Sequence, residues 1–180
     1  EWYGMAKDAV GQPQYNTGLK LTAEQVGQGL LSRNAGDSLS MGVLDPAAFS
    51  EDGGPSIAER IHKATDYKII FRRADNSRVP KKGAMGGWDQ MRHRLDGEGE
   101  DRPMVVTFDT CVDSIRTIPM QQHDQARIED IDSDGEDHAA DEWRYALMSR
   151  PWVKPSKTPD KPRERYRDDD DEDEDNWKTK

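Results

Sequence analysis

The sequence predicts an α/β domain built on a largely parallel sheet, and three observations carry that prediction. Short apolar runs alternate with stretches whose apolar residues recur every three or four positions, in the order α, β, α, β, α, β, α, α. Strands separated by helices of this length are joined by crossovers, and crossovers make parallel pairs. The last stretch, residues 137–150 (DHAADEWRYALMSR), is the clearest helix of the chain. Ala140, Trp143 and Leu147 share one face of it, and Asp137 and Asp141 stand one turn apart at its start.

Composition divides the chain in two. Hydrophobic residues make up 33% and charged residues 34% of 180, a polar average for a folded domain. The polarity concentrates after residue 150, where four prolines and the acid run 168–175 leave little to pack. Those eight acids account for all but two units of the net charge of −10. Residues 1–150 are therefore expected to fold as one nearly neutral domain, and residues 151–180 to form a disordered acidic tail. A single cysteine, Cys111, excludes an internal disulfide and fits a reducing compartment. No apolar run approaches the roughly 18 residues of a membrane span, and no signal-peptide pattern, internal repeat or phosphate-binding Gly-rich loop is visible.

Taken in order, residues 1–5 (EWYGM) read as the end of a strand, and residues 7–20 as a loop rich in Gly, Gln and Asn. Thr22 is a good N-cap for a helix from Ala23 to about Ser32 that carries Val26, Leu30 and Leu31. Residues 40–44 (SMGVL) form a short apolar strand that stops at Asp45-Pro46. After a turn over residues 49–55, Ser56 caps a helix with Ile57, Ala58 and Ile61 on one face. Residues 68–71 (KIIF) read as a strand, and residues 72–87 as a basic loop containing Arg72, Arg73, Arg78, Lys81 and Lys82. A helix holding Trp88, Met91 and Leu95 follows, then a strand over residues 104–108 (MVVTF) that ends at Asp109. A helix with Val112, Ile115 and Ile118 ends before Pro119, and a polar loop leads to the final helix.

In parallel sheets, ligands sit beyond the carboxyl ends of the strands. Asp45 occupies such an end, and with Asp137 and Asp141 it forms the first candidate site. Hard cations such as Mg²⁺ and Mn²⁺ take carboxylate oxygens, and two of them clamp a phosphodiester. The plain alternative is a strand terminator and an ordinary acidic helix start. Residues 130–141 begin like a calcium loop, but Asp141 stands where the longer Glu is expected, so a solvated acidic loop is the simpler reading. The five cations of residues 72–82 are candidate phosphate contacts, with a solvated flexible loop as the alternative. The four histidines show no zinc spacing, and Trp88 and Trp143 sit on helical apolar faces.

The segments SMGVLDPAAF, EDGGPSIAERI, FRRADNSRVPKKGAMGGWDQMRHRL, MVVTFDTCVDSIRTIPM and EDHAADEWRYALMSRPW, in this order, resemble the C-terminal nuclease domain of tailed-phage terminase large subunits. The resemblance runs from about Glu1 to Trp152. It implies an RNase H-like mixed sheet flanked by helices and a two-metal (Mg²⁺ or Mn²⁺) endonuclease that cuts concatemeric viral DNA during genome packaging. It places the middle acidic ligand on Asp45 and the last on Asp137, with Asp141 as alternative or helper. The family's first Asp has no counterpart here, and EWYGM resembles the strand after the one that bears it. The resemblance therefore implies an N-terminally incomplete nuclease fold of little or no activity. The partners it implies are double-stranded DNA, the portal protein and the small terminase subunit, in the cytoplasm of a bacterial host. A non-catalytic docking module is the competing expectation.

Overall fold

A computed structural model describes residues 1–34, 36–39, 41–97 and 103–153. The chain is mixed α/β, with helices packed around two small sheets. Strands β1 (Met5–Lys7) and β2 (Pro13–Gly18) form an antiparallel hairpin. Its turn is built by Asp8, whose carboxylate accepts the amides of Val10 and Gln12.

Helix α1 (Ala23–Asn34) starts at a reciprocal cap. The Thr22 hydroxyl accepts the Gln25 amide, and the Gln25 side chain accepts the Thr22 amide. Helix α2 (Ile57–Ala64) starts at Ser56, whose hydroxyl accepts the Glu59 amide. The two helices pack closely because Gly27 has no side chain: a Cβ there would lie 3.1 Å from that of Ala64. Arg60 and Glu24 bridge the pair at the surface.

Strands β3 (Gly42–Leu44) and β4 (Phe71–Arg73) pair in parallel, with Gly42 opposite Phe71 and Leu44 opposite Arg73. Helix α2 lies between them in sequence, so this is the strand–helix–strand unit that the alternation predicts. Beyond it come α3 (Gly87–Asp96), α4 (Val112–Thr117) with a 3₁₀ turn (Ile118–Met120), and α5 (His138–Met148). The core lies between α3 and α5: Trp88 and Met91 meet Ala140 and Leu147, with Ile131 from the preceding loop. Val105, Ile118 and Trp143 pack against it from the edge.

The sheet departs from the sequence expectation in three ways. Residues 104–108 are extended but unpaired among the described residues. Val105 reaches the core, while Val106 and Phe108 are about four-fifths exposed, at 79% and 80%. The run has the residue types of a strand without a neighbour to bond, and strand preference is largely a preference for such a neighbour. The predicted 68–71 strand begins only at Phe71, because Asp66 and Tyr67 take positive φ angles and turn the chain first. Strand β2, by contrast, falls in the expected loop: it is wholly exposed and is held by backbone pairing to β1 rather than by apolar side chains.

The packed body reaches beyond residue 150. Trp152 exchanges two hydrogen bonds with the Gln90 side chain and sits 4.0 Å from the His93 ring. The expected disordered tail falls mainly on residues 154–180, which lie outside the described residues. Among the described residues, no helix is long and apolar enough to cross a membrane.

Candidate carboxylate site

Asp45 follows β3 directly and caps the 3₁₀ turn Pro46–Phe49. Pro46 restricts the Asp45 backbone to extended angles, observed as φ −49° and ψ 135°. One carboxylate oxygen, Oδ1, accepts the Ala47 amide at 2.7 Å, and Oδ2 accepts the Tyr145 hydroxyl of α5. The end of β3 and the second half of α5 thus meet at Asp45.

A cavity of about 400 Å³ opens at this junction. Its acidic wall is Asp45, Glu136, Asp141 and Glu142, with His138 and Tyr145 beside them. Its other wall is the β1–β2 hairpin and the segment before it, including Tyr3, Asn16 and Thr17. Asp141 Oδ1 accepts two hydrogen bonds from Arg144, at 3.0 and 2.8 Å. Arg144 is 2% exposed, and its guanidinium carbon lies 5.0 Å from the Trp88 ring centre and 4.5 Å from that of Tyr145. Its Nη1 has no acceptor, so the two ring faces carry part of its stabilisation.

Asp137 precedes α5 and does not line the cavity. Its side chain is mostly buried, 3.7 Å from His138. Burial, and then the neighbouring Asp141 charge, push its carboxyl above the usual carboxylate range. Glu136, on the cavity wall, is shifted the other way. Arg116 grips it through two hydrogen bonds of 2.7 and 2.8 Å, the Tyr3 hydroxyl donates a third at 2.8 Å, and its carboxyl is held below the usual range despite burial. Of the three acids singled out in the sequence, the structure therefore brings Asp45 and Asp141 to one cavity and sets Asp137 behind it.

No family model, curated protein or solved structure matches this chain. The site is therefore read from its own geometry. Carboxylate side chains lining an open cavity are the donor class that Mg²⁺ or Mn²⁺ takes, so the chemistry of the wall fits such an ion. The count does not yet make a complete site: among the described residues, no group of three or more His, Cys, Asp or Glu side chains is arranged to hold a metal.

The basic loop divides into cations that bond inward to their own chain, Arg73 among them although it is exposed, and outward cations. Arg73 donates to the Pro46 and Phe49 carbonyls and lies over the Phe49 ring, so it supports the turn that follows Asp45. Arg78 pairs with Asp130 at 2.8 Å and donates to Ser133. Arg72, Lys81 and Lys82 are exposed. Asp130, the first residue of the calcium-like stretch, is 6% exposed and also accepts the Trp88 indole at 2.8 Å. It braces the core through these contacts.

Sequence reasoning passed over Arg144, Tyr145 and Glu136. The signal for the first was present. Arg144 stands three residues after Asp141, the spacing at which helical side chains meet. Glu136 gave no local signal, because its partners Tyr3 and Arg116 lie 133 and 20 residues away.

Proposed function

We propose that this chain carries part of the metal-dependent nuclease centre of a terminase large subunit, on an RNase H-like scaffold. The observation that carries the reading is the convergence of Asp45, at a strand end, and Asp141, in the first turn of α5, on the lining of one cavity. Asp45 and Asp141 would hold Mg²⁺ or Mn²⁺, with Asp137 behind Asp141 adding negative potential. When bound, such an ion polarises a phosphodiester for hydrolysis. The chain's own residues do the positioning: Arg144 holds Asp141, and the Ala47 amide turns Asp45. The exposed cations Arg72, Lys81 and Lys82 supply sequence-independent contacts to the backbone of double-stranded DNA. The substrate in this reading is concatemeric viral DNA, and choice of the cut site comes from the portal and the small terminase subunit.

The test is plasmid cleavage with Mn²⁺, by this chain and by a form extended upstream with the Asp-bearing strand of the family. Cleavage by the extended form that is lost in Asp45→Asn and in Asp141→Asn supports the reading. An extended form that never cuts, with metal and salt varied, rejects it. A second reading, a docking module without catalysis, draws on the incomplete ligand count and on the exposed Val106 and Phe108. It predicts binding to portal or small subunit that survives both substitutions.

A further inference from the structure

Resting on that reading, we propose that Tyr145 is a positioning residue that fixes the Asp45 carboxylate and couples it to Asp141. Tyr145 lies four residues after Asp141, one helical turn along the same face of α5, and both line the cavity. Its hydroxyl donates to Asp45 Oδ2 while the Ala47 amide donates to Oδ1, so both carboxylate oxygens are held and one orientation is favoured. The Tyr145 ring is held in turn by the Arg144 guanidinium, 4.5 Å from its centre, and Arg144 bonds to Asp141. One chain of contacts, Asp45–Tyr145–Arg144–Asp141, therefore joins the two carboxylates and sets their separation. Arg144 is buried and braced on Trp88, so the chain is anchored in the core rather than at the surface.

Removing a group that orients a metal ligand typically weakens metal affinity by about 10- to 100-fold. Phe in place of Tyr145 keeps the ring and the Arg144 contact and deletes only the hydroxyl. The experiment measures Mn²⁺ affinity by electron paramagnetic resonance for the chain as it stands, Asp45→Asn and Tyr145→Phe, with Tm measured on the same samples. Wild-type binding that is abolished in Asp45→Asn, and about tenfold or more weaker in Tyr145→Phe at unchanged Tm, supports the proposal. Tyr145→Gln retains a donor and brings no imidazole that could bind Mn²⁺ itself, and partial recovery of affinity in it identifies the hydrogen bond as the cause. Tyr145→Leu, which also deletes the hydroxyl, stands in for the Phe variant if that variant loses its fold. Affinity in Tyr145→Phe equal to wild type overturns the positioning role and leaves the nuclease reading intact. Absence of Mn²⁺ binding, or binding indifferent to Asp45→Asn, overturns the positioning role, while plasmid cleavage by the extended form decides the nuclease reading separately.

Discussion

At the scale of single residues, adjacent acids at the start of α5 have opposite electrostatic fates. Glu136 is gripped by Arg116 and Tyr3, and its carboxyl is held below the usual range. Asp137 is buried beside Asp141, and its carboxyl is raised. The folded state therefore binds the Glu136 proton less tightly than the unfolded chain does. Its contribution to stability is complete above the ordinary carboxylate pKa, about 4.3 for Glu, and is lost as pH falls through the depressed value. Asp137 has the reverse sign: the folded state binds its proton more tightly, so stability falls as pH rises through its window. Urea unfolding, repeated from neutral pH down to about pH 3, separates them. Glu136→Gln flattens the acid limb and costs about 1–3 kcal/mol at neutral pH, the range for a hydrogen bond to a charged group. Asp137→Asn steepens the same limb. A common direction for the two variants contradicts the assignment. Neither shift was legible in the sequence, where Glu136 closes an acidic loop and Asp137 opens the final helix, because each depends on partners placed by the fold.

At the scale of elements, helices were more legible than strands. Thr22 with Gln25 and Ser56 with Glu59 are local signals, and each produces the cap it announces. Residues 104–108 carry as strong a strand signal, yet pairing needs a neighbour that no local pattern specifies. Asp45 was legible because strand end and proline coincide there; Arg144 drew no attention in the sequence and is the buried contact between α3 and α5. Gly87 shows how tight that contact is. A Cβ there would lie 2.3 Å from Arg144 Cγ and 2.6 Å from its Cδ, and Arg144 is pinned by Asp141 and two rings. Gly87→Ala should therefore lower stability by about 1–3 kcal/mol, the usual cost of overpacking, despite the better helix propensity of Ala. Gly54→Ala is the control, since its added Cβ meets nothing within 4 Å, and it should change stability by less than about 0.5 kcal/mol. Equal midpoints for the two variants in urea would show that α3 and α5 have room to part.

At the scale of the whole molecule, the balance of charge governs any encounter with DNA. The chain carries −10, and the acids of residues 168–175 supply most of it. Against this stand the five cations of residues 72–82, with Asp75 the one acid among them. The structure separates these cations by what they already hold. Arg73 and Arg78 are committed to the Pro46–Phe49 turn and to Asp130, whereas Arg72, Lys81 and Lys82 face solvent. A cation that meets a DNA phosphate releases a counterion and adds about 0.9 to the slope of log affinity against log salt. Lys81→Gln and Lys82→Gln should each flatten that slope by up to this amount at unchanged Tm. Arg73→Gln should instead lower Tm and leave the slope nearly as it was, because its donors serve the backbone carbonyls of its own chain. Ending the chain at residue 167 should raise affinity for double-stranded DNA severalfold at low salt. The gain should shrink as salt rises, because screening shortens the reach of the acid run from about 10 Å at 0.1 M toward 3 Å at 1 M. Fluorescence anisotropy of labelled duplex across a salt series reads all four variants together. Equal slopes for Arg73→Gln and Lys81→Gln would mean that inward and outward cations serve DNA alike, and would remove the exposed loop as the DNA-facing surface.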